Sequence, residues 1–222
     1  MPLNRSKGNM YDWVTHTWSP IIGCPHQCEY CYVKTFRDQP IKPELRDDFP
    51  PLGRHRTIFV GHLCDTFAES VPEEMIERIL AHCGRWPENT YVFQTKNPRR
   101  LRDFGLPLYS IVGTTIETNR DELLAQISKA PPPAERAYYI SRVPRERFIT
   151  IEPILEFDTN PLLSMIHTAQ PTFVNIGADS KAHALPEPTR AKVQELIDEL
   201  TLRGILIRKK MNLDRLMSPS GE

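Results

Sequence analysis

The chain has 222 residues, with 28 Lys and Arg set against 28 Asp and Glu, so no global field draws it toward nucleic acid or an anionic membrane and any basic site must be local. Its length suits one large domain over residues 1–222 with a substantial apolar core, and no window is apolar enough for a signal peptide or a membrane span, which makes the cytoplasm the expected location. Five cysteines, an odd number with three crowded together, argue against a disulfide framework and for metal or redox chemistry.

Short apolar runs alternate with amphipathic windows along the chain, the pattern of a parallel sheet built from βα units. After an N-terminal extension over 1–13, strands are expected at Thr15 to Ser19, Thr57 to Gly61, Thr90 to Gln94, Ser110 to Thr114, Phe148 to Ile151 and Thr172 to Ile176. The run Gly204 to Arg208 adds a seventh. Ser70, Pro72 and Glu73 predict a capping box opening a helix whose face carries Met75, Ile76, Ile79, Leu80 and Cys83. Asn119 with Glu122 predicts a second helix start, Asn160-Pro161 a third, and Pro188 precedes a helix with Val193, Leu196, Ile197 and Leu200 at helical spacing. Two segments, 38–56 and 129–147, resist the pattern and read as excursions at the rim, either lids or plain surface loops.

The chemistry is concentrated in Gly23 to Tyr32. Cys24, Cys28 and Cys31 follow the first expected strand directly, on a loop where barrel enzymes place catalytic groups. Three thiolates at this spacing can hold three irons of a four-iron cluster and leave the fourth open. A structural zinc site is the rival reading, with His26, His62 or Cys64 as fourth ligand, but such sites usually pair their ligands in two knuckles and no second pair of cysteines exists. Polar residues follow nearly every strand: His16 and Trp18, Asp65, Gln94 and Lys96, Thr115 and Glu117, Glu152, then Asp179 and Ser180. Each also has a bland reading as a helix cap, which is the expectation for Asn97 and Asn119. Glu152 follows an apolar run, so it is either paired with a base such as Arg142 or Lys96 or part of the site. Cys83 reads as core. Basic residues gather at 96–102, 142–147 and 208–210 and could form a local phosphate-binding rim or a solvated surface. Tyr138 and Tyr139 read as core packing rather than base-stacking groups.

The pattern Cys24-x3-Cys28-x-Tyr30-Cys31 resembles the CxxxCxΦC signature of the radical S-adenosylmethionine (SAM) superfamily. The whole chain also resembles a phage- and bacteria-encoded radical-SAM-like family of unknown function. That resemblance rests on Thr17-Trp18-Ser19-Pro20 with Gly23, Asp65 and Phe67 leading to Val71-Pro72, Thr95-Lys96, Glu152-Pro153, and Gly177 with Asp179-Ser180. It implies a partial (βα)6 TIM-like barrel with an additional C-terminal strand, and a [4Fe-4S] cluster on the three cysteines with SAM on the open iron. It further implies reductive cleavage of SAM to a 5′-deoxyadenosyl radical, with electrons from a reductase or flavodoxin-type donor. Tyr30 is then expected beside SAM, Asp65 in place of the superfamily's Gly-Gly-Glu motif, and Thr115 and Glu117 near the SAM ribose and carboxylate. Asp179, Glu152, Lys96 and Lys210 are expected on the cofactor or substrate side. Cys64 occupies roughly the position of the hydrogen-donating cysteine in spore photoproduct lyase, against the alternative of a buried apolar thiol. The expected function is a radical SAM enzyme acting on an unidentified substrate, a nucleotide or nucleic acid being favoured. The alternative is a non-catalytic iron-sulfur or zinc-stabilised binding protein.

Overall fold

A computed structural model describes residues 2–46, 48–181 and 183–218; Asp47 of the 38–56 excursion, Ala182 and the ends of the 1–222 domain lie outside the described residues. In chain order the elements are β1 (Asn4–Arg5), β2 (His16–Trp18), β3 (Ile21–Ile22), β4 (Glu44–Leu45), β5 (Thr57–Val60), α1 (Glu73–Gly84), β6 (Thr90–Gln94) and β7 (Ser110–Thr115). They continue with α2 (Asp121–Ile127), α3 (Pro133–Ile140), β8 (Glu146–Ile151), α4 (Thr159–Ala169), β9 (Phe173–Ile176), α5 (Arg190–Leu202), β10 (Leu206–Lys209) and α6 (Asp214–Met217). The main sheet has the order β1-β2-β5-β6-β7-β8-β9-β10. From β2 to β10 every pairing is parallel, and only β1 runs antiparallel at the edge. All seven expected strands form, and α1, α2, α4 and α5 fill four of the crossovers between parallel strands.

Strand alternation divides the apolar residues into two layers. Ile58, Val60, Tyr91, Phe93, Val112, Ile149, Ile151, Val174 and Ile176 pack with Ile76, Ile79, Cys83, Ile166 and Leu196 between sheet and helices. Phe59, Val92, Phe148 and Phe173 face the other side and pack with Tyr11 and Val14. Phe148 and Phe173 stack at 5.4 Å between centroids, and Tyr11 stacks on Trp13 at 5.3 Å. Gly113 gives the Phe148 ring its place, since a Cβ there would overlap it. The N-terminal extension is therefore core material that fills the concave side of the sheet, each buried aromatic contributing roughly 1.5–3 kcal/mol.

Several local expectations are corrected. Ser70 makes no capping bond: the Pro72 carbonyl accepts the first amides of α1, and the chain enters the helix from an extended Pro72. Asn119 does not cap α2 but exchanges hydrogen bonds with Asp158, at 2.7 Å to its amide and 3.1 Å to its carboxylate. Asn97 likewise makes no cap and reaches Glu69 instead at 3.0 Å. The 129–147 segment is not a rim excursion, because it contains α3, entered through Pro132 and Pro133. The 38–56 segment supplies β4, which pairs with β3 and so lies against the cysteine loop.

Candidate metal and cofactor site

The cysteine loop leaves β2 at its carboxyl end and is held from two flanks. Gly23 has φ of 86°, and a Cβ there would overlap the Lys42 carbonyl, so the close approach of the 38–56 segment requires glycine. Cys24 donates its amide to the Pro40 carbonyl at 2.8 Å, and Arg46 donates its own to Pro20 at 2.8 Å. On the other flank Glu29 donates to Ile127 at 2.9 Å and Lys129 to His26 at 2.7 Å. All five cysteines are free thiols. Cys28 is buried with Sγ 3.2 Å from Ser128 Oγ, while Cys24 and Cys31 are half-buried. Burial, reinforced by the charge of Asp65, pushes the Cys24 thiol up to about 12.

Tyr30 ties this loop to the carboxyl end of β7. Its hydroxyl donates to Glu117 Oε1, which also accepts from Lys96 Nζ, and Lys96 Nζ lies 4.9 Å from the Tyr30 ring centroid. The other carboxylate oxygen of Glu117 accepts from Arg136 Nη1 at 2.8 Å. Arg136, from α3, also donates to the Thr115 carbonyl at 3.0 Å and the Pro131 carbonyl at 2.6 Å. Glu117 is fully buried, and burial alone would raise its carboxyl; the charges of Arg136 and Lys96 hold it well below the ordinary glutamate range instead. Thr115 Oγ1 accepts from Gln94 at 2.9 Å.

Asp65 joins three loops. Its Oδ2 faces His26 Nε2 at 2.8 Å and accepts the Lys96 amide at 2.7 Å, while Oδ1 accepts the Phe67 amide at 3.0 Å. Burial would raise its carboxyl, but hydrogen bonds from His26, Thr95 and the Lys96 amide keep it below the usual value. Neighbouring Cys64 packs half-buried against the core, its thiol pushed up by burial and by the charges of Cys24 and Asp65. His62 bonds Ser19 at 2.8 Å and is held down to about 4 by burial and by Arg37. Arg37 Nε and Nη2 are buried with no partner among the described residues.

A second polar group lies past the ends of β8, β9 and β10. Glu152 pairs with Lys210 at 2.6 Å, not with Arg142 or Lys96, and accepts from Asn9 at 2.6 Å and Asn212 at 2.8 Å. Below it Tyr11 Oη bonds Gln94 and Thr150, each at 2.6 Å. Asp179 accepts from the Lys181 amide at 3.1 Å and pairs with His183 at 2.6 Å, which folds the loop after β9. Trp18 is fully buried in the helix-side core, and His16 lies at the start of β2 beside Thr15, so neither reaches these groups.

The basic residues do not gather into one rim. Arg100 is buried and donates to the Ala68 and Val71 carbonyls, Arg145 and Arg147 hold backbone carbonyls, and Arg208 lies 4.7 Å over Phe173. Tyr138 is exposed rather than core, with Arg142 over its ring at 4.9 Å. Asn9, Tyr11, Arg136 and Asn212 are not among the residues expected from sequence, because only the fold brings them to the site. Among the described residues no three His, Cys, Asp or Glu side chains converge as ligands of a single metal ion, and no helix is long and apolar enough to cross a membrane.

The fold resembles solved radical SAM enzymes at low identity. A spore photoproduct lyase mutant matches with a TM-score of 0.61 and 10% identity over 80% of this chain and 58% of its own. SuiB of Streptococcus suis bound to S-adenosylmethionine matches with 0.59 and 12% over 87% and 49%. A spore photoproduct lyase mutant with bound AdoMet and dinucleoside spore photoproduct matches with 0.57 and 10% over 80% and 61%. The chain thus spans about half to three fifths of these proteins' length. No curated protein sequence matches it. Residues 37–179, more than half of the chain, match the family described as Protein of unknown function (DUF5131), to which this chain belongs.

Proposed function

We propose that this protein is a radical SAM enzyme in which Cys24, Cys28 and Cys31 hold a [4Fe-4S] cluster that binds SAM. The observation that carries this reading is the position of the three free thiols: one braced loop at the carboxyl end of β2, in a parallel sheet of radical SAM type. The donor set fits the group, since thiolates suit iron-sulfur clusters and each would bind a different iron. A tetrahedral zinc site would instead need a fourth ligand on the same atom, commonly from a second pair of cysteines, which the sequence does not have. When bound, the reduced cluster supplies the electron that cleaves SAM to methionine and a 5′-deoxyadenosyl radical able to abstract hydrogen from substrate.

The chain's own residues supply positioning. Glu117, Lys96 and Arg136 fix Tyr30 through its hydroxyl, leaving the ring as a wall beside the cysteines. Asp65 acts through His26 on the same loop, because its oxygens are already engaged by His26 and two amides. Arg37 offers two buried guanidinium nitrogens with no partner among the described residues and is proposed to receive the SAM carboxylate. Cys64 is proposed as hydrogen donor to the substrate, and a reductase or flavodoxin-type protein as electron source. The substrate is proposed to be a nucleoside or nucleotide, held near Glu152 and Lys210; the lyase structure with a bound dinucleoside photoproduct supports that class.

Anaerobic reconstitution with iron and sulfide, followed by dithionite and SAM, tests the reading. Iron and sulfide on the protein and release of 5′-deoxyadenosine are expected, and both are lost on Cys28→Ala. Zinc without iron, or a loaded protein that never yields 5′-deoxyadenosine, would overturn it.

A further inference from the structure

The polar group around Glu152 has a donor-acceptor pattern that points to a particular ligand. A carboxylate only accepts, so Asn9 and Asn212 must both turn their NH2 groups toward Glu152 Oε1. Asn212 Nδ2 also donates to the Ala178 carbonyl at 2.6 Å, which fixes its amide a second time. The two carboxamide oxygens therefore face away from the carboxylate, and both are buried with no partner among the described residues. Such acceptors cost about 1–3 kcal/mol each when left unpaired. Gly177 lets these groups pack closely against the backbone, because a Cβ there would stand only 2.8 Å from Asn212 Oδ1 and 2.9 Å from Glu152 Oε1. On the solvent side Ser180, which is exposed, lies 3.0 Å from Asn212 Nδ2 and leaves a way in.

Charge narrows the choice further. Lys210 Nζ is 2.6 Å from Glu152 Oε2 and lies 4.7 Å from the Tyr11 ring centroid, so the lysine is already committed to the carboxylate and the aromatic face. The pair is neutral as a unit and offers no free cation to a phosphate. We infer that Asn9, Glu152 and Asn212 form a subsite for a neutral ligand edge rich in N–H donors, the amino edge of a nucleobase, entering beside Ser180 and displacing that side chain's contacts to Asn9 and Asn212 while the bonds to Glu152 and Ala178 hold the carboxamides in place. This rests on the nucleoside reading above and makes it specific: the base, not the phosphate, is recognised here.

Calorimetric titration of the purified protein with cytidine, uridine, adenosine and inosine, in the presence of SAM, tests this. The amino-bearing nucleosides are expected to bind about tenfold more tightly than their oxo counterparts, the effect of about 1.4 kcal/mol in an unpaired acceptor. Adding a 5′-phosphate should change affinity less than twofold. Asn212→Leu and, on a segment outside the sheet, Asn9→Ala should each reduce the amino preference to within about twofold, with thermal unfolding checking that each variant is folded. Equal affinity for amino and oxo nucleosides, a preference for nucleotides over nucleosides, no nucleoside binding, or a preference unmoved in the folded variants would overturn the inference. Release of 5′-deoxyadenosine is scored separately: its absence with the amino preference intact removes catalysis and leaves the subsite, and its presence without the preference does the reverse.

Discussion

Glu117 and Arg136 form an ion pair of 2.8 Å with both side chains at zero exposure, joining the end of β7 to α3 directly behind Tyr30. A buried pair of this kind is weak evidence for net stability, yet removing one partner strands a charge. Glu117→Gln should therefore cost about 3–5 kcal/mol and lower the thermal midpoint by on the order of 10 °C for a chain of this size. Differential scanning calorimetry reads the shift, and a change within about 1 °C would refute the assignment.

The same residue gives a pH test. The Glu117 carboxyl is depressed below its ordinary value of 4.5, so its stabilisation is fully present above the unfolded carboxyl's titration and is lost as pH falls below it toward the folded value. Urea midpoints should be insensitive to Glu117 from pH 7 to about 5 and then fall more steeply in the parent than in Glu117→Gln. Parallel curves below pH 4 would show that the carboxylate is not held by these cations.

Asp65 couples His26 to the Lys96 amide through one carboxylate oxygen, so the brace acts on the cysteine loop rather than on the sheet. Asp65→Asn presents an NH2 where one of the three donors must be received, stranding it at about 1–3 kcal/mol. Iron and sulfide retained per chain after anaerobic reconstitution should drop several-fold while far-ultraviolet circular dichroism stays unchanged. Full iron content in the variant would remove Asp65 from the brace.

What could be read from the sequence follows the range of the interactions. The three cysteines sit within one short loop, and β6 was legible to the residue because Tyr91, Val92 and Phe93 form a short continuous apolar run that is buried on both faces of the sheet. Caps were less legible. Ser70 and Asn119 have the right chemistry, but Pro72 at the N-cap of α1 and the distant Asp158 decide the geometry. Tyr11 was invisible as a site residue because Gln94 and Thr150 lie 83 and 139 residues away in sequence. Arg136 sat in a proline-rich stretch that suppressed the helix signal, although those prolines occupy the start of α3, where no intrahelical donor is needed.

Tyr11 anchors the N-terminal segment at the polar floor beneath Glu152. Tyr11→Phe keeps the ring stacked on Trp13 and removes only the hydroxyl shared by Gln94 Oε1 and Thr150 Oγ1. A loss of about 1–3 kcal/mol is expected, or a fall of about 2–12 °C in the thermal midpoint. Tyr11→Ala should cost more than Tyr11→Phe, since it also opens a cavity among Phe59, Phe148 and Phe173. Equal midpoints for the two variants would mean that the ring contributes nothing.

Cys64 lies one residue before Asp65 and half-buried against the core, within electrostatic range of Cys24. A packing role and a donor role predict different outcomes for Cys64→Ala. If the thiol only fills space, the variant loses on the order of 1 kcal/mol and its chemistry is unchanged. As a hydrogen donor, the thiol exchanges its proton with solvent before each turnover, so a reaction run in D2O places deuterium in the product. Cys64→Ala should then keep its iron content and its release of 5′-deoxyadenosine, which depend on Cys24, Cys28 and Cys31, while mass spectrometry shows the solvent label gone from the product. Unchanged label incorporation in the variant would reduce Cys64 to packing and move the search for a donor to Tyr30 or Tyr32 of the cysteine loop, the hydroxyl of Tyr32 reaching the His62 carbonyl beside Cys64.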